Sequence, residues 1–165
     1  MDETIKEPMD NAAAGAGAEQ SELERCLTFS SGGLTLFLST RYVTEIINDC
    51  AITPIPLLPD YIKGILNLRG QILPVIDIRL YMGKPALEYT SKTCLIVLNI
   101  EEVPICIVVD AVCQVVDIDL SKIHPIPVKH AQRLLNGMVT MDDGSVLMSF
   151  DCPVLVFGQN RASET

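Results

Sequence analysis

The stretch Tyr61-Ile-Lys-Gly-Ile-Leu-Asn-Leu-Arg-Gly-Gln-Ile-Leu-Pro-Val-Ile-Asp-Ile-Arg-Leu80 places a charge at the middle of an apolar run. Ile65, Leu66 and Leu68 lead into Arg69-Gly70, and Ile72, Leu73, Val75, Ile76 and Ile78 lead away, so the segment reads as two strands joined by a tight turn. Arg69 then has to face water, a partner or an acid. Glu45 and Asp77 are the candidate acids for an internal charge-assisted bond. Presentation of a fixed cation to a partner is the other reading, and the two can coexist because a guanidinium offers five donors.

The same short period of two continues on both sides. Runs rich in Ile, Val and Leu recur at 26–30, 34–38, 43–47, 64–68, 72–78, 93–100, 103–109, 113–117, 138–141 and 145–148. Gly32-Gly33, Arg69-Gly70, Glu101-Glu102 and Asp142-Asp143-Gly144 supply corners between them. Ten short strands on such turns predict an all-β protein of small barrels or a sandwich. Helical candidates are confined to 60–63, 80–82, 130–135 and 150–156.

An internal echo sharpens this reading. Val43-x-Glu45-Ile46-Ile47, Pro54-Ile55-Pro56 and Gly64-Ile65-Leu66-x-Leu68 reappear as Val112-x-Gln114-Val115-Val116, Pro125-Ile126-Pro127 and Gly137-Met138-Val139-x-Met141, at offsets of 69, 71 and 73 residues. Two similar β-units of about 65–70 residues are small to stand alone, so they are expected to pack through a shared apolar layer and to leave a groove along the seam.

Composition narrows the function. Residues 1–24 hold seven acids against Lys6, in a chain of net charge −9; with its Ala and Gly content, this opening reads as a disordered acidic tail over 1–23. The remainder is close to neutral, lacks Trp and has few aromatics, which argues against a nucleic-acid-binding barrel with a cationic groove and stacking rings. No leader pattern opens the chain, and runs such as 94–98 and 105–109 are too short to span a bilayer; a cytosolic protein without membrane insertion is expected. The six cysteines show neither C-x-x-C nor zinc spacing and sit mostly among aliphatics, as packing groups do.

The candidate chemical groups reduce to structural ones. Asp142-Asp143-Gly144 resembles a calcium loop, but Ser145-Val146-Leu147-Met148 lacks the further oxygen ligands, so turn chemistry is the better account. His124 and His130 match no metal or triad signature, and there is neither a nucleophile elbow nor a P-loop. No catalytic residue, metal or cofactor is assigned. What remains are surfaces: strict alternation over Val43-Thr44-Glu45-Ile46-Ile47 would put Val43, Glu45 and Ile47 on one face, either a binding patch with a charged selector or a core edge with a solvated acid.

The stretch "YIKGILNLRGQILPVIDIRLYMG" closely resembles the hallmark of the CheW family of chemotaxis coupling proteins, in which I-K-G-x-x-N-L-R-G-x-x-x-P-V-x-D-L-R is typical. "CLTFSSGGLTLFLSTRYVTEII", "TCLIVLNIEEVPICIVVDAVCQVVDI" and "LLNGMVTMDDGSVLMSF" extend the likeness over about residues 24–157. The resemblance implies a CheW-like domain over 24–158 of two intertwined β-barrel repeats, built as two five-stranded SH3-like barrels around a common hydrophobic core with few short helices, and a flexible end at 159–165. It implies a non-enzymatic adaptor that holds a CheA-type histidine kinase to the cytoplasmic tips of methyl-accepting chemoreceptors, or a scaffold in another kinase-linked array serving surface motility or development. Carried over residue by residue, Val43, Glu45, Ile47 and Arg69 would engage the receptor tip, and Val115, Ile123, His124 and Ile126 the kinase's regulatory domain. The chain departs from the family in reading "LTLFLS" where Tyr-Gly-Ile-(Asp/Glu) is frequent, and in carrying His124 and Lys129 in the loop that often bears other basic or aromatic groups.

Overall fold

The computed structural model describes residues 22–48, 51–126 and 134–158. Most of the expected acidic tail, the 159–165 end and most of the helical candidate at 130–135 lie outside the described residues.

Among the described residues ten strands form two five-stranded sheets. The strands are β1 (Leu23–Ser31), β2 (Leu34–Ser39), β3 (Val43–Ile47), β4 (Ile62–Leu68), β5 (Gln71–Asp77), β6 (Cys94–Ile100), β7 (Val103–Val109), β8 (Ala111–Asp119), β9 (Leu135–Thr140) and β10 (Val146–Phe150). Each coincides with a run expected from the sequence. The short helix α1 (Ile78–Tyr81) and a helical turn from Cys152 fall near two of the helical candidates. The candidate at 60–63 is overturned: Tyr61 lies in a turn and Ile62 already begins β4, because this segment must extend to pair with β5.

The sheet orders are β8-β1-β2-β10-β9 and β3-β6-β7-β5-β4, with β2/β10 and β5/β7 parallel and all other neighbours antiparallel. Strands β1–β5 and β6–β10 are therefore the two repeats seen in the sequence, but neither builds a barrel by itself. Each sheet takes its central hairpin from one repeat and its other three strands from the other. The two repeats are thus intertwined: the chain exchanges strands between its halves, and neither half holds the strands to complete a sheet.

This interlocking explains the continuous apolar runs. In β6, Ile96, Leu98 and Ile100 enter the large cluster shared by both sheets with Phe29, Leu36, Ile107 and Phe150, whereas Leu95 and Val97 enter a second cluster with Leu66, Leu73, Val75 and Cys106 inside the second sheet. A third cluster, of Cys26, Phe37, Ile118, Val139 and Leu147, fills the first sheet. A strand buried on both faces has no polar side to alternate with. Phe29 and Phe150, both from the first sheet, meet edge to face at 5.7 Å within the shared layer. Cys26 and Cys152 belong to these clusters, and burial pushes their thiols up to about 11 and about 12, which keeps them protonated packing groups.

Each sheet curls until a single bridge joins its two edges, from the segment after β3 to β4 in the second sheet (Thr53 to Ile65) and from the segment after β8 to β9 in the first (His124 to Met138). Glycine stands at both closures. At Gly64, with φ +145°, a β-carbon would lie 2.0 Å from the Thr53 carbonyl oxygen, and at Gly137 it would lie 2.4 Å from Ile123 Cγ2. Asp77, 4% exposed, is spent on the chain itself: it caps α1 by accepting from the backbone N–H groups of Arg79 and Leu80, and it accepts a bond from the Tyr89 hydroxyl at 2.9 Å. Burial, followed by the Asp77 charge, raises the Tyr89 phenol above its ordinary value. Arg79 in turn donates to Asp110 at 3.1 Å, whose carboxylate also accepts from Gly32 N–H, so this cluster ties the β1–β2 turn to the opposite sheet.

Candidate functional site

The β4–β5 turn is formed by Arg69 (φ +53°) and Gly70 (φ +85°), the left-handed pair that a two-residue hairpin needs, and Asn67 Oδ1 accepts from Gly70 N–H at 3.1 Å. Arg69 Nη1 donates to Glu45 Oε1 at 2.7 Å. Of the two acids considered from sequence, Glu45 is the partner and Asp77 is not. The pair is asymmetric: the Arg69 side chain is 72% exposed and that of Glu45 27%. One end is therefore anchored while donors remain available at the other, so the geometry keeps both roles of Arg69 open.

Glu45 is reached because β3 is irregular. Val43 pairs with Leu98 but Glu45 pairs with Val97, so Thr44 is an extra residue and the alternation breaks there. The expectation that Val43, Glu45 and Ile47 share a face is overturned. Val43 packs on the cluster shared by both sheets, whereas Ile47 packs on the cluster inside the second sheet. Thr44 and Ile46 are the exposed members of this strand. Beside it lies a groove of about 190 Å³ lined by Thr44, Leu68, Arg69, Gln71, Val97 and Asn99. The arrangement can hold an apolar side chain and offer a directed cation; Gln71 and Asn99 had no sequence signal, since both are ordinary strand-end polar residues.

The second-repeat candidates separate into two places. Val115 lies on β8, 52% exposed, between exposed Gln114 and half-buried Val116. Ile123, His124 and Ile126 belong to the closure of the first sheet: Ile123 is half-buried against the third cluster, His124 is exposed and exchanges backbone bonds with Met138, and Ile126 packs on the shared cluster. The segment continuing from Pro127, which includes Lys129, lies outside the described residues.

Asp143 and Asp119 serve as turn chemistry. Asp143 accepts from the Ser145 N–H at 2.9 Å and hydroxyl at 2.6 Å, and Asp119 accepts likewise from Ser121; these bonds hold both carboxyls below the ordinary value. Among the described residues no three His, Cys, Asp or Glu side chains gather as ligands for a metal. No described helix is long and apolar enough to cross a membrane.

Fold and site together define a pair of interlocked SH3-like β-barrels whose distinguishing surface is a bulged outer strand tied to a hairpin turn by an ion pair. The family model for the CheW-like domain matches residues 25–157, and the chain belongs to that family. It is 33% identical to "Chemotaxis protein CheW" of Klebsiella aerogenes over 125 residues, 74% of this chain and 75% of that one. It is 29% identical to the Bacillus subtilis protein of the same name, covering 72% and 85% of the two chains. The crystal structure of scaffolding protein TtCheW from Thermoanaerobacter tengcongensis superposes with a TM-score of 0.71 at 30% identity, over 77% of this chain and 88% of that chain.

Proposed function

We propose that this chain is a non-enzymatic adaptor of bacterial chemotaxis, acting in the cytoplasm at membrane-associated receptor arrays, that couples a CheA-type histidine kinase to chemoreceptor signalling tips. The Glu45–Arg69 pair at the rim of the β3 groove is the observation that carries this reading beyond family membership. A receptor tip is a helical hairpin, and an amphipathic helix laid into an apolar groove with a charged rim is an established recognition mode. Glu45 and Arg69 would make the contact, with Val43 and Ile47 anchoring the strand in the two apolar clusters. The kinase's regulatory domain would dock on the other barrel at Val115 and at the closure of Ile123, His124 and Ile126. A second reading, a scaffold in another kinase-linked array, is compatible with the 30% identity over 88 residues to protein FrzA of Myxococcus xanthus.

Separate titrations of the full chain with a receptor-tip fragment and with a kinase regulatory-domain fragment test the proposal. Saturable binding to both is expected, with neither displacing the other. Failure to bind either fragment would sink it.

A further inference from the structure

The third strand of each repeat is bulged at the same place, and the two bulges are held by different means. In β3 the extra residue is Thr44, the opposing residue on β6 is Val97, and the tie is the Glu45–Arg69 pair. In β8 the register slips between Leu27↔Val115 and Phe29↔Val112, so Cys113 and Gln114 together face Thr28 of β1. Thr28 is the repeat counterpart of Val97, at the 69-residue offset. Its side chain is buried at 3% exposure, and its hydroxyl both donates to the Gln114 carbonyl at 2.8 Å and accepts from the Gln114 N–H at 3.0 Å.

We propose that Thr28 is a positioning residue whose hydroxyl fixes the β8 bulge and so turns Gln114 and Val115 outward toward the kinase's regulatory domain, an inference that rests on the function proposed above. Cys113, Gln114 and Val115 are three consecutive exposed residues, which a regular strand cannot present on a sheet with one buried face. β8 is an edge strand with β1 as its neighbour, so a second strand does not define its register. A slip of one residue would swap the faces of its side chains and carry Val115 inward. Threonine opposes the slip by bonding both backbone groups of one residue; valine, nearly the same shape, bonds neither. β3, in the other sheet, has its own tie and is independent of Thr28.

The test compares Thr28→Val, Thr28→Ser and Val115→Asp in the full chain, titrated against the kinase regulatory-domain fragment and, separately, the receptor-tip fragment. Thr28→Val is expected to weaken kinase-fragment binding about tenfold while receptor-tip binding stays within twofold, and Thr28→Ser is expected to restore the wild-type value. A general loss of fold would lower both affinities together, and that outcome overturns the positioning role, as does wild-type kinase affinity in Thr28→Val. If Val115→Asp leaves kinase binding unchanged, the docking of the kinase on β8 fails, and the proposal with it. Loss in Val115→Asp with no change in Thr28→Val overturns the proposal alone.

Discussion

Gly64→Ala is expected to cost at least about 3 kcal/mol and to lower the melting temperature by roughly 6–12 °C for a chain of this size. Two independent terms combine there. The φ of +145° is a conformation that a side chain strongly disfavours, and the added β-carbon would sit 2.0 Å from the Thr53 oxygen and 2.7 Å from its carbonyl carbon, neither of which can swing aside. Thr53 and Ile65 exchange both backbone bonds at 2.9 Å, so relief would open the bridge that closes the second sheet. Gly137→Ala is the internal control. There the nearest atom is the Ile123 Cγ2 methyl at 2.4 Å, a side-chain group rather than backbone, so the loss should be smaller and Ile123→Ala should recover part of it. Thermal unfolding of the four proteins measures this; a Gly64→Ala protein melting within about 2 °C of wild type would mean the closure is looser than the geometry describes.

Glu45→Lys should weaken receptor-tip binding at least about tenfold, because it sets two cations against each other at the groove rim and removes the acid that aims Arg69. The melting temperature should move by no more than about 2 °C, as Arg69 is largely in water and an exposed pair contributes little to stability. The double exchange Glu45→Arg with Arg69→Glu separates the two roles of the pair. It keeps an internal ion pair but inverts what the rim offers. Retained stability with binding still lost assigns the pair to the partner; recovered binding would make it an internal brace only.

How far the sequence speaks depends on whether a feature leaves a mark on side-chain type. Alternating Ile, Val and Leu, Gly-rich corners and the two Pro-x-Pro echoes do so, and all ten strands and the repeat follow from them. The exchange of strands between repeats does not, since β8 would look the same beside β1 as beside β6. Nor do the bulges: Val43-Thr44-Glu45-Ile46-Ile47 reads as regular alternation, and only the pairing with Leu98 and Val97 shows the added residue. Asp77 was legible as an acid near Arg69, but its bond to Tyr89 depends on a loop closing twelve residues downstream. Thr28 is an unremarkable strand threonine until Gln114, 86 residues away, is placed beside it.

The adaptor role is tested most directly by sedimenting receptor-bearing vesicles with the kinase while the full chain is titrated in. If it bridges, kinase in the pellet rises with added chain and falls again at large excess, when each partner is saturated by separate copies. Kinase that stays in the supernatant at every concentration, or that pellets equally well without the chain, would contradict the account.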